Sequence, residues 1–318
     1  MQINTIRNEL LTGRELKAHT RATMVCALLF STTAFAQQAP LVQPNATIKV
    51  SAHVHVIPDN SVPTVPNVGF IVGQKAVLVV DTGMGRRNGE TVVKEAQKLA
   101  GDKPLYLVTT HVHPEHDLGA EAFPATTKMI RARTQVNEID EFGMQMADVF
   151  RRRSDAMREL LEGAQFRKAD IVFDDQYSLD LGGVTVKIFA MGSNHTPGDT
   201  VTLVEQDDVM FSGDVAMKNQ PAFASPKSSL SHWLTSLDRL EAMKPRILVP
   251  SHGPNGDASY IANYRAYLTR IRDRASAAKR AGKSLDEATQ TIVDEMKSQY
   301  PDAGRLSGAV RVAYGEAR

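Results

Sequence analysis

Apolar and polar residues alternate along "TIKVSAHVHVIP", from Thr47 to Pro58, as on a strand with one buried face. "VGFIVG" and "AVLVVD", separated by "QK", read as two strands joined by a tight turn, and the glycines of "DTGMG" turn the chain just after Asp81. In "GETVVKEAQKLA" the period changes, placing Val92, Val93, Ala96 and Leu99 on one helical face. "PLYLVTT" is again a short apolar strand. A long polar helical segment then runs from about Thr134 to Gln165. Its acids come early (Glu138, Asp140, Glu141) and its bases late (Arg151, Arg152, Arg153), the order that the helix dipole favours. Strands return in "QYSLDL", "VTVKIFA", "DTVTLVE" and "DVMFSGD", the first two joined by a "GG" turn. The helix "SHWLTSLDRLEAM" follows with a core stripe of Trp233, Leu234, Leu237 and Leu240, and then the strand "RILVP". From Asp257 onward only helical periodicity remains, with a capping box at Ser284 and Glu287.

Strands alternating with helices predict an α/β layered fold of two halves with a helical tail. The expected divisions are residues 1–36 as a leader, 37–46 as a linker and 47–256 as the main domain with a helical insertion at about 134–165. Residues 257–318 form a C-terminal helical extension packed on it.

Charge changes the picture by exclusion. With 37 basic and 36 acidic residues in 318, no global field points to nucleic acid or an anionic membrane. No run reaches the roughly 18 apolar residues needed to span a bilayer. At the N-terminus, Arg14, Lys17 and Arg21 precede "MVCALLF", and small residues surround Ala34 and Ala36. That order predicts a secretory signal peptide cut after Ala36 and a periplasmic protein without a membrane anchor. Cys26, the only cysteine, falls inside the leader, so the mature chain carries neither disulfide nor cysteine ligand.

The chemistry concentrates in "TTHVHPEHDLGA", Thr109 to Ala120. His111, His113, Glu115, His116 and Asp117 occupy seven positions of a chain with nine histidines. Four further segments sit, like this one, at expected strand ends: "VVDTGMG" (Asp81), "SNHTPGDT" (His195), "FSGDVAM" (Asp214) and "VPSHGP" (His252). Glycine or proline beside the last three lets the backbone turn sharply at a strand edge. Five histidines with two or three carboxylates suit zinc, and also iron or manganese.

These five segments, in this order, resemble the motifs of the metallo-β-lactamase superfamily: an aspartate after a sheet strand, H-x-H-x-D-H, then isolated H, D and H. The resemblance implies an αβ/βα four-layer sandwich with one or two ions at its loop edge. It places His111, His113 and His195 on the first metal, Glu115, His116 and His252 on the second, and Asp214 between the two. Asp81 would accept the hydrogen bond that orients the site. Glu115 stands where the family carries aspartate, which puts occupancy of the second position in question. Asp117 is either a substitute ligand or an outer neighbour, and Gly119 falls one residue later than in the commonest form.

The resemblance implies an exported zinc hydrolase that uses metal-bound hydroxide on a small-molecule ester, lactone, thioester, lactam or related centre. Asp214 stands where zinc β-lactamases typically have cysteine or serine, which leaves antibiotic hydrolysis as a side activity. Two other readings are a mononuclear iron enzyme of the persulfide dioxygenase kind and a metal-binding protein without turnover. His53 and His55 repeat the H-x-H spacing, but inside an alternating strand, and read as a solvated or mouth-lining face. His232 reads as a surface residue at a helix start, and Met144, Met146 and Met157 as fill between helices. "FRRRSD" reads as a solvated face, with anion gathering as the alternative. The basic stretch Arg265, Arg270, Arg272, Arg274 and Lys279 reads as an exposed helix.

Overall fold

The computed structural model describes residues 39–218 and 223–318, and the expected leader, with Cys26, lies outside them. The first alternating segment is not one strand. It divides into β1 (Ile48–Lys49) and β2 (Val54–Ile57) with a bend between them. Asp207 holds the bend, accepting the backbone N–H of His53 at 2.8 Å, its Nδ1 at 2.7 Å and the hydroxyl of Ser51.

Five further strands, β3 (Val68–Val72), β4 (Val77–Val80), β5 (Leu105–Val108), β6 (Lys128–Ala132) and β7 (Ile171–Phe173), complete a seven-stranded sheet in chain order. Pairing is antiparallel as far as β4 and parallel from β4 to β7. The second sheet holds β8 (Gln176–Asp180), β9 (Thr185–Gly192), β10 (Asp199–Val204), β11 (Val209–Gly213) and β12 (Ile247–Pro250), ordered β12-β11-β10-β9-β8. Only its β11–β12 pair is parallel.

The inner core lies between the sheets, where Ile71, Leu78, Val80, Val108 and Ile130 meet Val186, Ile188, Val204, Phe211 and Val249. β4 is buried on both faces, which is why its sequence is an unbroken apolar run. Leu78 and Val80 point into the inner core, whereas Val77 and Val79 pack outward on α1 (Gly85–Ala100) through Val92, Val93 and Ala96. Each such valine stabilises the layer by about 1.5–3 kcal/mol relative to exposure. Pro40 and Val42, in the stretch expected as a linker, are tied to α1 by the side chain of Asn88.

After β5 comes a single helical turn, α2 (Pro114–Asp117). The long polar segment is three helices rather than one: α3 (Arg133–Glu138), α4 (Met144–Arg151) and α5 (Asp155–Leu160). A π-helical turn at Ile139–Gly143 separates the first two. The third restarts because Ser154 Oγ accepts the N–H of Met157 at 3.2 Å. Ala147, Phe150, Met157 and Leu160 close with Met84 and Leu118 into a small core of their own, and Met144 and Met146 pack against it.

The outer face of the second sheet is covered by α6 (Leu230–Ala242), α7 (Ser259–Arg280), α8 (Leu285–Met296) and α9 (Ala303–Glu316). Trp233, Leu237 and Leu240 are fully buried there, and the Trp233 Nε1–H donates to the Val215 carbonyl at 2.8 Å. The capping box at Ser284 and Glu287 starts α8 as expected. Four layers result, helix, sheet, sheet, helix, and the candidate side chains lie just past the C-terminal ends of β4, β5, β11 and β12 and beyond β9.

Candidate metal centre

The chain leaves β4 through Asp81, whose φ of 66° is left-handed. Aspartate tolerates that conformation better than most residues, and its neighbours over-determine it here. The carboxylate accepts the Thr110 N–H at 2.7 Å, the Thr110 hydroxyl at 3.0 Å and the His116 Nδ1–H at 2.9 Å. One loop end thus fixes the next.

Pro114 occupies the first position of α2, where its missing N–H costs nothing and its fixed φ starts the turn. That turn carries Glu115 and His116. Thr82 grips it, its N–H and hydroxyl both donating to the His116 carbonyl at 2.9 Å. The two loops pass so closely that a Cβ at Gly119 would lie 2.5 Å from the Thr82 carbonyl oxygen. The glycine one residue later than the common pattern is therefore a steric requirement of this crossing.

Among the described residues three groups of side chains come together that could hold a metal ion: His111, His113 and His195; His111, His116 and Asp214; and Glu115, His116 and His252. Within each group the candidate ligand atoms lie within 4.8 Å of one another. His113 Nδ1 is 3.1 Å from His111 Nε2 and 3.2 Å from His195 Nε2, and that last nitrogen is 3.3 Å from Asp214 Oδ2. All seven side chains converge, and Asp81 stands directly behind them.

Hydrogen bonds on the far side of the rings fix which nitrogens face inward. A carbonyl only accepts, so His195 Nδ1 donates to Phe223 O at 2.8 Å and His252 Nδ1 donates to Val65 O at 2.9 Å. His116 Nδ1 donates to Asp81 in the same way. Thr110 gives its hydroxyl proton to Asp81, leaving its oxygen to accept from His111 Nδ1 at 3.1 Å. The Nε2 atoms of these four rings therefore present lone pairs to a common space, the arrangement a metal requires. His116 Nε2, Glu115 Oε2 and Asp214 Oδ1 are buried there with no hydrogen-bond partner among the described residues. Burial of this kind is costly unless a cation completes it.

The charges agree with the geometry. Burial, followed by the neighbouring imidazoles, holds His111 and His113 well below the ordinary histidine value. His195 and His252 are also lowered, again chiefly by burial. His116 is the exception: burial works against its charge, but Asp81, joined by Glu115 and Asp214, outweighs it and lifts the ring to about 9. Burial likewise opposes the ionised form of Asp214, but the surrounding histidines win and hold it far below the usual carboxylate range. Glu115 is raised, chiefly by burial. Four histidines poised as neutral imidazoles, with carboxylates and a His116 that gives up its Nε2 proton on binding, fit a divalent ion of borderline softness.

Asp117 has no oxygen left for a metal. Arg131 grips both carboxylate oxygens, Nη2 donating to Oδ1 at 2.8 Å and Nη1 to Oδ2, and the Thr109 hydroxyl donates to Oδ2 at 2.6 Å. Both partners are buried, and Gln135 adds a further contact to Arg131 at 3.2 Å. Sequence reasoning missed Arg131 altogether. It also missed Asp199, which accepts the His195 N–H at 2.7 Å and the Thr196 hydroxyl at 2.8 Å, fixing the loop after β9. The spacing of "HTPGD" was a usable signal for that turn.

The decoys fall elsewhere. His53 pairs with Asp207 at the β1–β2 bend, His55 lies within β2, and His232 donates its Nε2–H to the Met191 carbonyl at 2.7 Å from the exposed first turn of α6. None of the three belongs to a metal-capable group among the described residues.

Comparison with known proteins agrees with this architecture. A linear primary-alkylsulfatase from Pseudomonas sp. (strain ATCC 19151) is 26% identical over 216 residues, covering 58% of this chain and 40% of the relative. An acyl-coenzyme A thioesterase from Homo sapiens is 25% identical over 195 residues, covering 58% of this chain and 70% of the relative. The chain thus spans less than half the length of the first and about two thirds of the second. Among solved structures, a stereoselective inverting sec-alkylsulfatase from Pseudomonas sp. superposes with a TM-score of 0.67 at 16% identity, covering 85% of this chain and 49% of that one. Residues 62–252, which include every residue from Asp81 to His252, match the family model described as the metallo-beta-lactamase superfamily. The chain belongs to the metallo-beta-lactamase superfamily.

Proposed function

We propose that the protein is a zinc-dependent hydrolase of an ester-type bond in a small molecule. In this reading His111, His113 and His195 would hold one ion, Glu115, His116 and His252 a second, and Asp214 would serve as a further ligand between them. The observation that carries it is the set of inward donor atoms: imidazole nitrogens aimed at one space beside buried carboxylate oxygens that have no partner among the described residues. A divalent ion bound there lowers the pKa of a coordinated water to about 7 and polarises the bond under attack.

The chain's own groups do the remaining work. Asp81, Val65 O and Phe223 O keep the Nδ1 protons of His116, His252 and His195 on the outer side, so their Nε2 atoms stay available. Asp214, kept ionised by the surrounding histidines, keeps a negative oxygen available to a cation in the cluster. Packing around the cluster leaves His111, His116 and His195 almost wholly screened from bulk solvent, which strengthens every charge interaction inside.

The names of the relatives make sulfate esters and thioesters the first substrates to try, with carboxylic esters, lactones and lactams beside them. Export to the periplasm belongs to the same reading and is supported by the composition of residues 1–36. No helix among the described residues is long and apolar enough to cross a membrane. The test is a panel of these substrates on the zinc-loaded protein, with His113→Ala as control. Turnover that requires zinc and disappears in the variant is expected. Undiminished turnover in His113→Ala, or bound iron with no hydrolysis at all, would overturn the proposal.

A further inference from the structure

The three arginines of "FRRRSD", read from sequence as a solvated face, meet different fates. Arg151 is structural: it pairs with Asp148 at 2.6 Å and donates to the Leu161 carbonyl from Nε and Nη2 at 3.2 and 3.1 Å. Arg152 is exposed. Arg153 lies in the turn after α4 with its guanidinium 3.7 Å above the centre of the Phe150 ring. Phe150 is buried, and its ring lies 5.8 Å from that of His113. One aromatic ring therefore separates this exposed cation from a residue of the metal cluster. Its charge reaches that far as a minor contribution, adding to the lowering of His113 and opposing the rise that burial imposes on Glu115.

Acids near Arg153 in sequence and on the preceding helices are engaged elsewhere, and the carboxylate whose charge it feels is that of Glu115 in the cluster. Asp148 pairs with Arg151, Asp155 with Arg158, and Glu141 with Lys227. Among the described residues no carboxylate forms an ion pair with Arg153. A second cation approaches from another part of the chain. Arg305, in the first turn of α9, pairs with Asp302 at 3.2 Å, and its charge is felt by Arg153 and by His195. α9 is held close on this side, since a Cβ on Gly308 would lie 2.6 Å from the Ala224 carbonyl oxygen. The residue before it, Phe223, supplies the carbonyl that orients His195. Arg305 thus adds positive charge that His195 feels, while Arg153 is the cation placed by its stacking within one ring of the cluster.

We infer that Arg153 is an anion-recognition edge of the metal cleft, so that the preferred substrate carries a negative group beside its scissile bond. The inference rests on the hydrolase reading and narrows it. Arg153 lies outside the family's five motifs and acts on the substrate rather than on the ions. Its fork of N–H donors suits a sulfate or carboxylate oxygen pair, and stacking on Phe150 holds the fork in place.

Three substrates that release 4-nitrophenolate separate the possibilities: the neutral acetate ester, the glutarate half-ester, with its anion on the acyl arm, and the sulfate ester, with its anion at the reacting centre. The zinc-loaded protein should favour one of the anionic pair over the acetate in kcat/KM. In Arg153→Ala that preference should fall roughly ten- to hundredfold, mainly through KM. Arg153→Lys should recover part of it, and added salt should erode it. A preference unchanged in Arg153→Ala, or one for the neutral ester in the native chain, overturns the inference. Calorimetric binding of glutarate and of inorganic sulfate gives a readout without turnover. Failure to hydrolyse any ester would sink the hydrolase reading, whereas equal binding of both anions by native and Arg153→Ala protein would sink the anion edge.

Discussion

Asp81 Oδ2 lies 2.9 Å from His116 Nδ1, with both side chains buried, and this one contact ties the end of β4 to the turn that carries two candidate ligands. The same carboxylate holds Thr110, whose hydroxyl in turn orients His111. Asp81 thereby governs one ring of each proposed ion site without itself facing an ion.

Asp81→Asn keeps the shape but removes the charge that makes His116 basic. Affinity for the second zinc should fall about 10- to 100-fold, as for other partners of metal-bound histidines. Competition against a chromophoric chelator measures it, and an unchanged second affinity would count against the role given to Asp81.

Glu115→Asp restores the family's usual carboxylate and should preserve activity or raise it. Glu115→Ala removes a ligand and should lower zinc content from two equivalents towards one. Elemental analysis after dialysis distinguishes these outcomes from a Glu115 that binds nothing, in which case both variants would keep the native zinc content.

The Asp117–Arg131 pair bears on stability. Asp117→Ala leaves a buried guanidinium without its partner and should cost about 3–5 kcal/mol. Replacing both with apolar residues of similar size should cost clearly less, because no charge is then stranded. Urea unfolding of the two variants provides the comparison, and a single variant as stable as native protein would contradict the burial described.

Glu138 sets a pH dependence. It is buried against the Gly198 N–H, donated at 2.7 Å, and burial lifts it from the ordinary glutamate value to about 7. A carboxyl raised in the folded state favours folding at low pH, and that advantage is lost as pH climbs from about 4.5 through about 7. Glu138→Gln lacks this titration. In chelator, to keep metal out of the balance, the variant should gain roughly 2–3 kcal/mol on native protein between pH 4.5 and pH 8. Parallel pH profiles for the two proteins would show that Glu138 does not titrate as described.

The strand ends and their histidines were legible because both signals are local. An apolar run such as "AVLVVD" followed by glycine marks a sheet edge, and the ligand types sit within a few residues of it. β6 was not legible: "KMIRA" carries two cations, and its Arg131 is buried only because Asp117 reaches it from another loop. The split between β1 and β2 depends in the same way on Asp207, over 150 residues away in sequence. The break before α5 was within reach, since Ser154 opens "SDAMRE" as a cap would. The carbonyls of Val65 and Phe223, which set two tautomers, have no side-chain signature to read. Arg153 was visible as charge, but its direction was not, because that depends on how the turn after α4 meets Phe150.

The most direct test of the account is anomalous diffraction from zinc-loaded crystals at the zinc edge. Two maxima are expected about 3.5–4 Å apart, one among His111, His113 and His195 and one among Glu115, His116 and His252. A map with no maximum between these side chains, or with zinc bound only elsewhere on the chain, would contradict it.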